Sequence, residues 1–370
     1  MRGNPSIKQT ILKYRVNDET ILKINGQFAQ IEDKDGIIWS LLELLDGKLT
    51  YAQVIKKLTS QYSHLDSETI EEYIKQFAEL RLLEDVTLTA DEILDDYTAE
   101  RWSRNIEFFG SMAEYGDNKF AYQRKIQEAK VCLLGCGGVG THILFDLAAL
   151  GFQDITIVDF DKIELANLNR QILYQEDDIG KSKVHQAKKR ILQFSKKANI
   201  HAIEAYLDSA EKIAPIIDGH DLVICVVDRP RYYLIDWLNS ACVHKYIPFI
   251  HGGVDIRRTI FYSVVPGKSG CVECWKQGAI HQGDTTSLRV ADLNRELDIN
   301  YSIPIPAMVV LVTLQAGCMV AEALKLITGL QPPALTNKLK EFRFDDMMIE
   351  TCETWERQPD CPVCGQISSQ

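Results

Sequence analysis

Three features of the sequence predict an α/β protein. Val131–Gly140 runs as an apolar strand into a glycine-rich turn and a helix. Apolar segments follow at Ile155–Asp159, Leu222–Val227 and Ile247–His251, with helical stretches between them. Two CxxC pairs, Cys271/Cys274 and Cys361/Cys364, lie 86 residues apart. The β/α alternation predicts a doubly wound, Rossmann-like, mostly parallel sheet. The cysteine pairs predict a C-terminal zinc-stapled region. Ahead of both, a small N-terminal winged-helix-like α+β domain is expected. A chain of 370 residues has room for two or three domains. The expected division is 1–92, a linker and arginine-bearing segment at 93–129, and 130–370.

In residues 1–92, short apolar/polar alternations at Ile11–Ile24 and Gln27–Glu32 read as strands. Asp35 can cap a helix through Ile37, Ile38, Leu41 and Leu45, which Asp46-Gly47 would stop. Thr50 caps a second helix, with Val54, Ile55 and Leu58 on one face. Asp66 or Ser67 caps a third, with Ile70, Ile74 and Phe77. Leu82-Leu83 then begins a short strand. Residues 66–100 hold twelve Asp/Glu and two Lys/Arg. That bias suits a solvated face and polar linker, or attraction of a basic peptide.

Composition narrows the function. The chain is 46% hydrophobic and 25% charged, which excludes disordered and fibrous classes. A net charge of −11 argues against a general nucleic-acid binder. Met1–Thr10 is polar and shows no secretion signal. The most apolar stretch, Ile303–Thr328, is interrupted by Gln315, Glu322 and Lys325 and is expected to be a buried helix, not a membrane span. Ten cysteines in such a chain suggest reduced thiols or a metal, so a cytoplasmic enzyme is expected.

The glycines of Gly135-Cys-Gly137-Gly138-Val-Gly140 let the backbone turn tightly and approach a phosphate. The following helix N-terminus offers free N–H groups and a positive dipole. Asp159 lies 19 residues on, where a carboxylate can accept bonds from ribose hydroxyls. These features suit NAD as well as ATP. Asn167-Leu-Asn-Arg170-Gln171 and Lys183 separate the two. A triphosphate calls for an arginine fork and a lysine point charge beyond the second strand, whereas a dinucleotide does not. Asp228, at the end of the Leu222 strand, suits Mg²⁺. No Walker A sequence is present, so kinase- or motor-type chemistry is not expected.

Cys271, Cys274, Cys361 and Cys364 supply four thiolates, the usual structural zinc set. A closed site of this kind would tie the C-terminal tail to the body. Most of the other six cysteines are expected to be buried structural thiols.

Taken together, these residues resemble the ThiF/MoeB/HesA superfamily, which includes the ubiquitin-activating enzymes, over about residues 97–370. The resemblance implies ATP- and Mg²⁺-dependent adenylation of a carboxylate by a homodimer. It implies that Gly135, Gly137, Gly138, Gly140, Asp159, Asp161, Asn167 and Gln171 bind the nucleotide. Arg170 and Lys183 would act on the phosphates and Asp228 would hold Mg²⁺. Arg101-Trp-Ser-Arg104 is similar to the family's N-terminal motif, which implies that Arg104 reaches the partner subunit's triphosphate. Further stretches are similar to the microcin C-type peptide nucleotidyltransferases: Arg101–Asn105, Leu234–Asn239, Val265–Cys271 and the terminal Cys-Pro-Val-Cys. Residues 15–85 resemble PqqD-type peptide-recognition domains, which implies a peptide groove between about Phe28–Glu32 and Ser67–Leu80. Trp275–Gly317 contains no cysteine, so a thioester relay is not expected.

The expected function is attachment of a nucleoside monophosphate, AMP by default, to the C-terminal residue of a short ribosomal precursor peptide. Pyrophosphate would be released, as in microcin C-type antibiotic biosynthesis. The alternatives are adenylation that drives peptide dehydration or cyclisation, and a non-catalytic leader-peptide-binding subunit. Neither a nucleic-acid nor a membrane partner is expected.

Overall fold

The computed structural model describes residues 2–91, 93–230, 233–281, 285–296 and 306–367. The chain divides into two compact units, Met1–Arg124 and Lys125–Gln370.

The first unit contains β1 (Pro5–Ile7), β2 (Leu12–Val16), β3 (Glu19–Ile24), β4 (Gln27–Glu32), α1 (Ile37–Leu44), α2 (Tyr51–Gln61), α3 (Ser67–Glu79) and β5 (Leu83–Asp85). Strands β2-β3-β4 form an antiparallel sheet, and β1 pairs with β5. Leu22, Leu41, Leu42, Val54, Leu58, Ile70, Ile74 and Leu83 form the core. Thr50 opens α2 with a reciprocal capping box to Gln53, and Asp66 accepts from the Thr69 amide to open α3. Helix α1 departs from expectation, because Asp35 is not its cap. Gly36 takes a left-handed φ of 71° and turns the chain back, so the Asp33 carboxylate meets the first amides instead. Buried Asp33 accepts from Ile38 N and Trp39 N, both at 2.9 Å, and from Thr20 Oγ1 at 2.8 Å. The segment expected as a linker is largely helical: α4 (Asp96–Arg101), α5 (Ser103–Met112) and α6 (Lys119–Glu128).

Strand β4 is an open edge. Ala29 pairs with Leu22 and so points to the same face. Leu22 is fully covered while Ala29 is exposed. Among the described residues the edge therefore keeps free backbone donors and acceptors, with Ala29 exposed beside it while Ile31 on the same face packs against the core.

The second unit contains β6 (Lys130–Leu134), α7 (Gly138–Leu150), β7 (Asp154–Val158), α8 (Lys183–Phe194), β8 (Asn199–Ile203), α9 (Ala210–Ile217), β9 (Leu222–Cys225), α10 (Leu234–His244), β10 (Phe249–Val254) and β11 (Arg258–Val264). It continues with α11 (Val272–His281), α12 (Thr286–Glu296), α13 (Val309–Thr328), β12 (Lys338–Arg343) and β13 (Ile349–Thr354). The sheet order is β13-β12-β11-β10-β9-β6-β7-β8. The five strands β10-β9-β6-β7-β8 are parallel, and β11, β12 and β13 extend the sheet antiparallel. Strand order reverses between β6 and β9. A crevice at that switch point, outside the carboxyl ends of the strands, is where such sheets hold ligands.

Helix α13 has the length and composition of a membrane span. Its Glu322 is 1% exposed and accepts from Ser263 Oγ, Ala334 N and Leu335 N at 2.8–2.9 Å. A carboxylate so fully satisfied by its own protein marks a core helix, as expected.

Candidate functional site

Backbone conformation and close contacts exclude a side chain at two of the turn's glycines. Gly135 has φ +102°, and a Cβ there would lie 3.1 Å from the Val226 backbone, across the switch point. A Cβ on Gly140 would lie 2.0 Å from Gly135 O. Gly137 caps α7 with no side-chain bond, and the first turn carries no acidic residue. Its leading N–H groups are therefore available to an anion.

Asp159 follows β7 and clamps the turn. Its Oδ2 accepts from Cys136 N at 2.7 Å and its Oδ1 from Asp161 N at 2.8 Å. Burial pushes this carboxyl above its ordinary value, against the opposing pull of Lys183. One lone pair on each oxygen remains for a sugar hydroxyl. Lys183, the first residue of α8, is 5% exposed and pairs with Asp161 at 2.7 Å. The stem of Arg170 lies 3.3 Å from where a Gly138 Cβ would sit. Its guanidinium is positioned by Ala166 O at 3.0 Å and Asn169 Oδ1 at 2.7 Å. Gln171 is buried beside Gly137, and its Oε1 has no hydrogen-bond partner among the described residues. Asn167 caps a short 3₁₀ turn by accepting from Glu164 N.

The structure thus gathers Gly135–Gly140, Asp159, Asp161, Arg170, Gln171 and Lys183 around one turn. Asp228 lies past β9 on the same carboxyl edge, exposed and without a hydrogen bond or ion pair among the described residues. Arg104 is an exposed residue of α5 in the first unit, also unpaired among the described residues.

Sequence reasoning missed several supports. Buried Tyr174 donates to Cys136 O at 2.8 Å and holds the turn from behind. Asp236 pairs with Lys276 of α11 and, at 2.7 Å, with Arg295 of α12. Asn239 Oδ1 accepts from Val272 N at 3.0 Å, at the start of α11. These bonds join residues 33 to 59 positions apart, and no local pattern announces them.

The four cysteines converge. All are buried, and their Sγ atoms lie within 4.8 Å of one another. Cys271–Cys361 is 3.7 Å and Cys274–Cys364 is 3.3 Å. Hydrogen bonds from the Cys271 thiol and the Gln358 amide pull the Cys274 thiol below its ordinary value, while burial pushes Cys364 up. Four converging sulfurs with no open position fit zinc, which these residues would hold as a structural ion. The tail is also strapped without it: Trp355 Nε1 donates to Gly270 O at 3.1 Å, and Arg357 donates to Gly267 O at 3.2 Å. Cys132, Cys136, Cys225 and Cys242 are buried thiols, as expected, whereas Cys352 is exposed.

The fold and this cluster define a doubly wound α/β sheet with a glycine turn at its switch point and a C-terminal tail whose two cysteines meet a second pair. The chain belongs to the ThiF family, which it matches over residues 102–363. It is 29% identical over 275 residues to the SAMP-activating enzyme E1 of Haloferax volcanii, covering 74% of this chain and 91% of that protein. It is 29% identical over 253 residues to the molybdopterin-synthase adenylyltransferase of Escherichia coli, covering 67% and 91%. The structure of E. coli MccB superimposes with a TM-score of 0.80 at 24% identity, over 99% of this chain and 97% of that one. That likeness of fold takes in the N-terminal unit as well.

Proposed function

We propose that this protein is a cytoplasmic nucleotidyltransferase that activates the C-terminal residue of a short ribosomal peptide. The observation that carries the reading is the presence, in one chain, of the nucleotide cluster and of a small sheet with an open edge, β4. An extended peptide can add to such an edge as a further strand. The groove would run between Phe28–Glu32 and Ser67–Leu80. E. coli MccB, which shares this architecture, has been solved with ATP and with MccA. The curated relatives include adenylyltransferases.

In this reading the peptide's terminal carboxylate, or its amide nitrogen with loss of a proton to the departing pyrophosphate, attacks the α-phosphorus of ATP. The new bond to phosphorus forms as the bond to pyrophosphate breaks. The glycine turn and the α7 amides receive the phosphates, and Asp159 receives the ribose. Arg170 and Lys183 neutralise charge on the transferring phosphate, and Asp161 aims the Lys183 ammonium. Mg²⁺ held by Asp228 would supply further neutralisation of phosphate charge. Arg104 serves the site of the second subunit of a homodimer.

The test is pyrophosphate release with Mg²⁺ and each of the four nucleoside triphosphates, in the presence of short peptides encoded beside the gene. Products are weighed. A peptide heavier by one nucleotide is expected. Loss of water from the peptide instead points to dehydration or cyclisation. A second reading has a specific support: the curated relatives include a sulfur carrier protein adenylyltransferase of Thermus thermophilus. Pyrophosphate release with such a carrier, and none with peptides, would select it.

A further inference from the structure

The first unit holds a pocket of about 240 Å³ that neither the nucleotide cluster nor the β4 edge uses. It is enclosed by the end of β1, strand β5 with the loop after it, the end of α5 and the start of α6. Pockets for drug-sized ligands run from roughly 300 to 1,000 Å³, so this one suits a smaller molecule. Val86, Leu88, Ala90 and Phe120 give it apolar walls.

The charged groups of its lining do not all find partners. Lys119 is engaged, paired with Glu84 and with Glu107 at 2.9 Å each. Lys8 is 4% exposed, and among the described residues its ammonium donates only to Ala113 O, at 2.6 Å. Two of its three N–H groups are left over. Asp117 lines the same pocket and forms no ion pair among the described residues. Its Oδ2 accepts from Glu114 N at 3.1 Å and from the Tyr122 hydroxyl at 3.0 Å, while its Oδ1 stays open. The Asp117 charge acts on Lys8, yet the two form no direct pair. A buried ammonium without a counter-ion is costly, and a ligand that carries both charges would satisfy both groups.

We propose that this pocket binds a free α-amino acid with a small uncharged side chain. The ligand carboxylate meets the spare Lys8 donors, its ammonium meets Asp117, and its side chain lies against the apolar walls. The lining carries four carboxylates, on Glu84, Asp85, Glu114 and Asp117, against two ammoniums. A plain carboxylic acid is therefore repelled at the rim, and a plain amine leaves Lys8 without a counter-ion. This site stands independently of the nucleotide reading.

The test is calorimetric titration of the full chain with L-valine, isovalerate and isobutylamine, which share one branched side chain and differ in charge. L-Valine should bind at least about tenfold more tightly than either analogue, the usual weight of a hydrogen bond to a charged group. Lys8→Met should erase its advantage over isobutylamine, and Asp117→Asn its advantage over isovalerate. Asp117 is exposed, so its variant carries the test even if Lys8→Met does not fold. Burial pushes Lys8 down to about 8, with Arg81 and Lys119 adding to the push and Glu84 and Asp117 opposing it. Most of the ammonium is lost by pH 9, so L-valine should weaken about tenfold between pH 7 and 9. The proposal is overturned if L-valine binds no more tightly than its analogues or holds its affinity across that pH range. It is equally overturned if neither variant alters L-valine binding, which would place the ligand elsewhere on the chain.

Discussion

The glycine turn and the thiolate cluster belong to one sheet-based unit and are built on opposite plans. The turn is rigid yet unfinished. Its backbone is pinned by Asp159, Tyr174 and the Gly135–Gly140 contact, while the α7 amides and Asp228 keep no side-chain partner among the described residues. The cluster is closed, with four buried sulfurs facing one another and the tail strapped across by Trp355 and Arg357. An unfinished polar site offers binding capacity to a ligand. A closed one offers only stability.

Four predictions test that contrast, beginning with the largest effect. Cys361→Ser should lower zinc content and destabilise the chain by roughly 5 kcal/mol, because metal binding is folding free energy. Zinc analysis and thermal unfolding read this, and a variant with unchanged zinc and melting temperature breaks the structural side of the contrast. Lys183→Met should slow pyrophosphate release by about two to three orders of magnitude, as loss of one preorganised charge donor does. Its melting temperature should stay close to that of the unaltered chain, since the abandoned Asp161 carboxylate is about half exposed. Gly140→Ala should cost about 2 kcal/mol in denaturant unfolding, because the added methyl meets Gly135 O at 2.0 Å. It should abolish ATP binding at the same time.

The smallest effect compares two buried lysines. Lys183 keeps a carboxylate partner, whereas Lys8 is 4% exposed and donates to the Ala113 carbonyl at 2.6 Å. Burial pushes Lys8 down from 10.5 to about 8. Above pH 8 the folded chain has shed this proton while the unfolded chain still holds it, so stability rises with pH until about 10.5. Between pH 7 and 9 the gain should be about 1 kcal/mol. It is read as the stability difference between the unaltered chain and Lys8→Met. A flat difference across that range would show that the Lys8 ammonium is not desolvated.

Where a feature was local, it was legible. Thr50 and Asp66 announce their helices because a cap acts three residues away. The glycine turn shows because a positive φ at Gly135 and a close backbone approach at Gly140 require residues without side chains. Asp35 misled because spacing cannot show that Gly36 turns left-handed and delivers Asp33 to the helix instead. Strands β12 and β13 carried no clear signal, since their residues are mostly polar and their pairing is made at the sheet edge. Tyr174, Asp236 and Asn239 were invisible as supports because their partners are distant in sequence.

By itself, then, the sequence determined the class of sheet, the glycine turn that follows its first parallel strand, the basic side chains near that turn and the two cysteine pairs. Each rests on residue type and short spacing, which covalent geometry carries unaided. Only the tertiary structure decided that Lys183 meets Asp161, that Asp159 holds the turn, that cysteines 90 positions apart converge and that β4 is left open. Those are outcomes of packing between distant segments, where the free energy of burial selects one arrangement that no local pattern encodes.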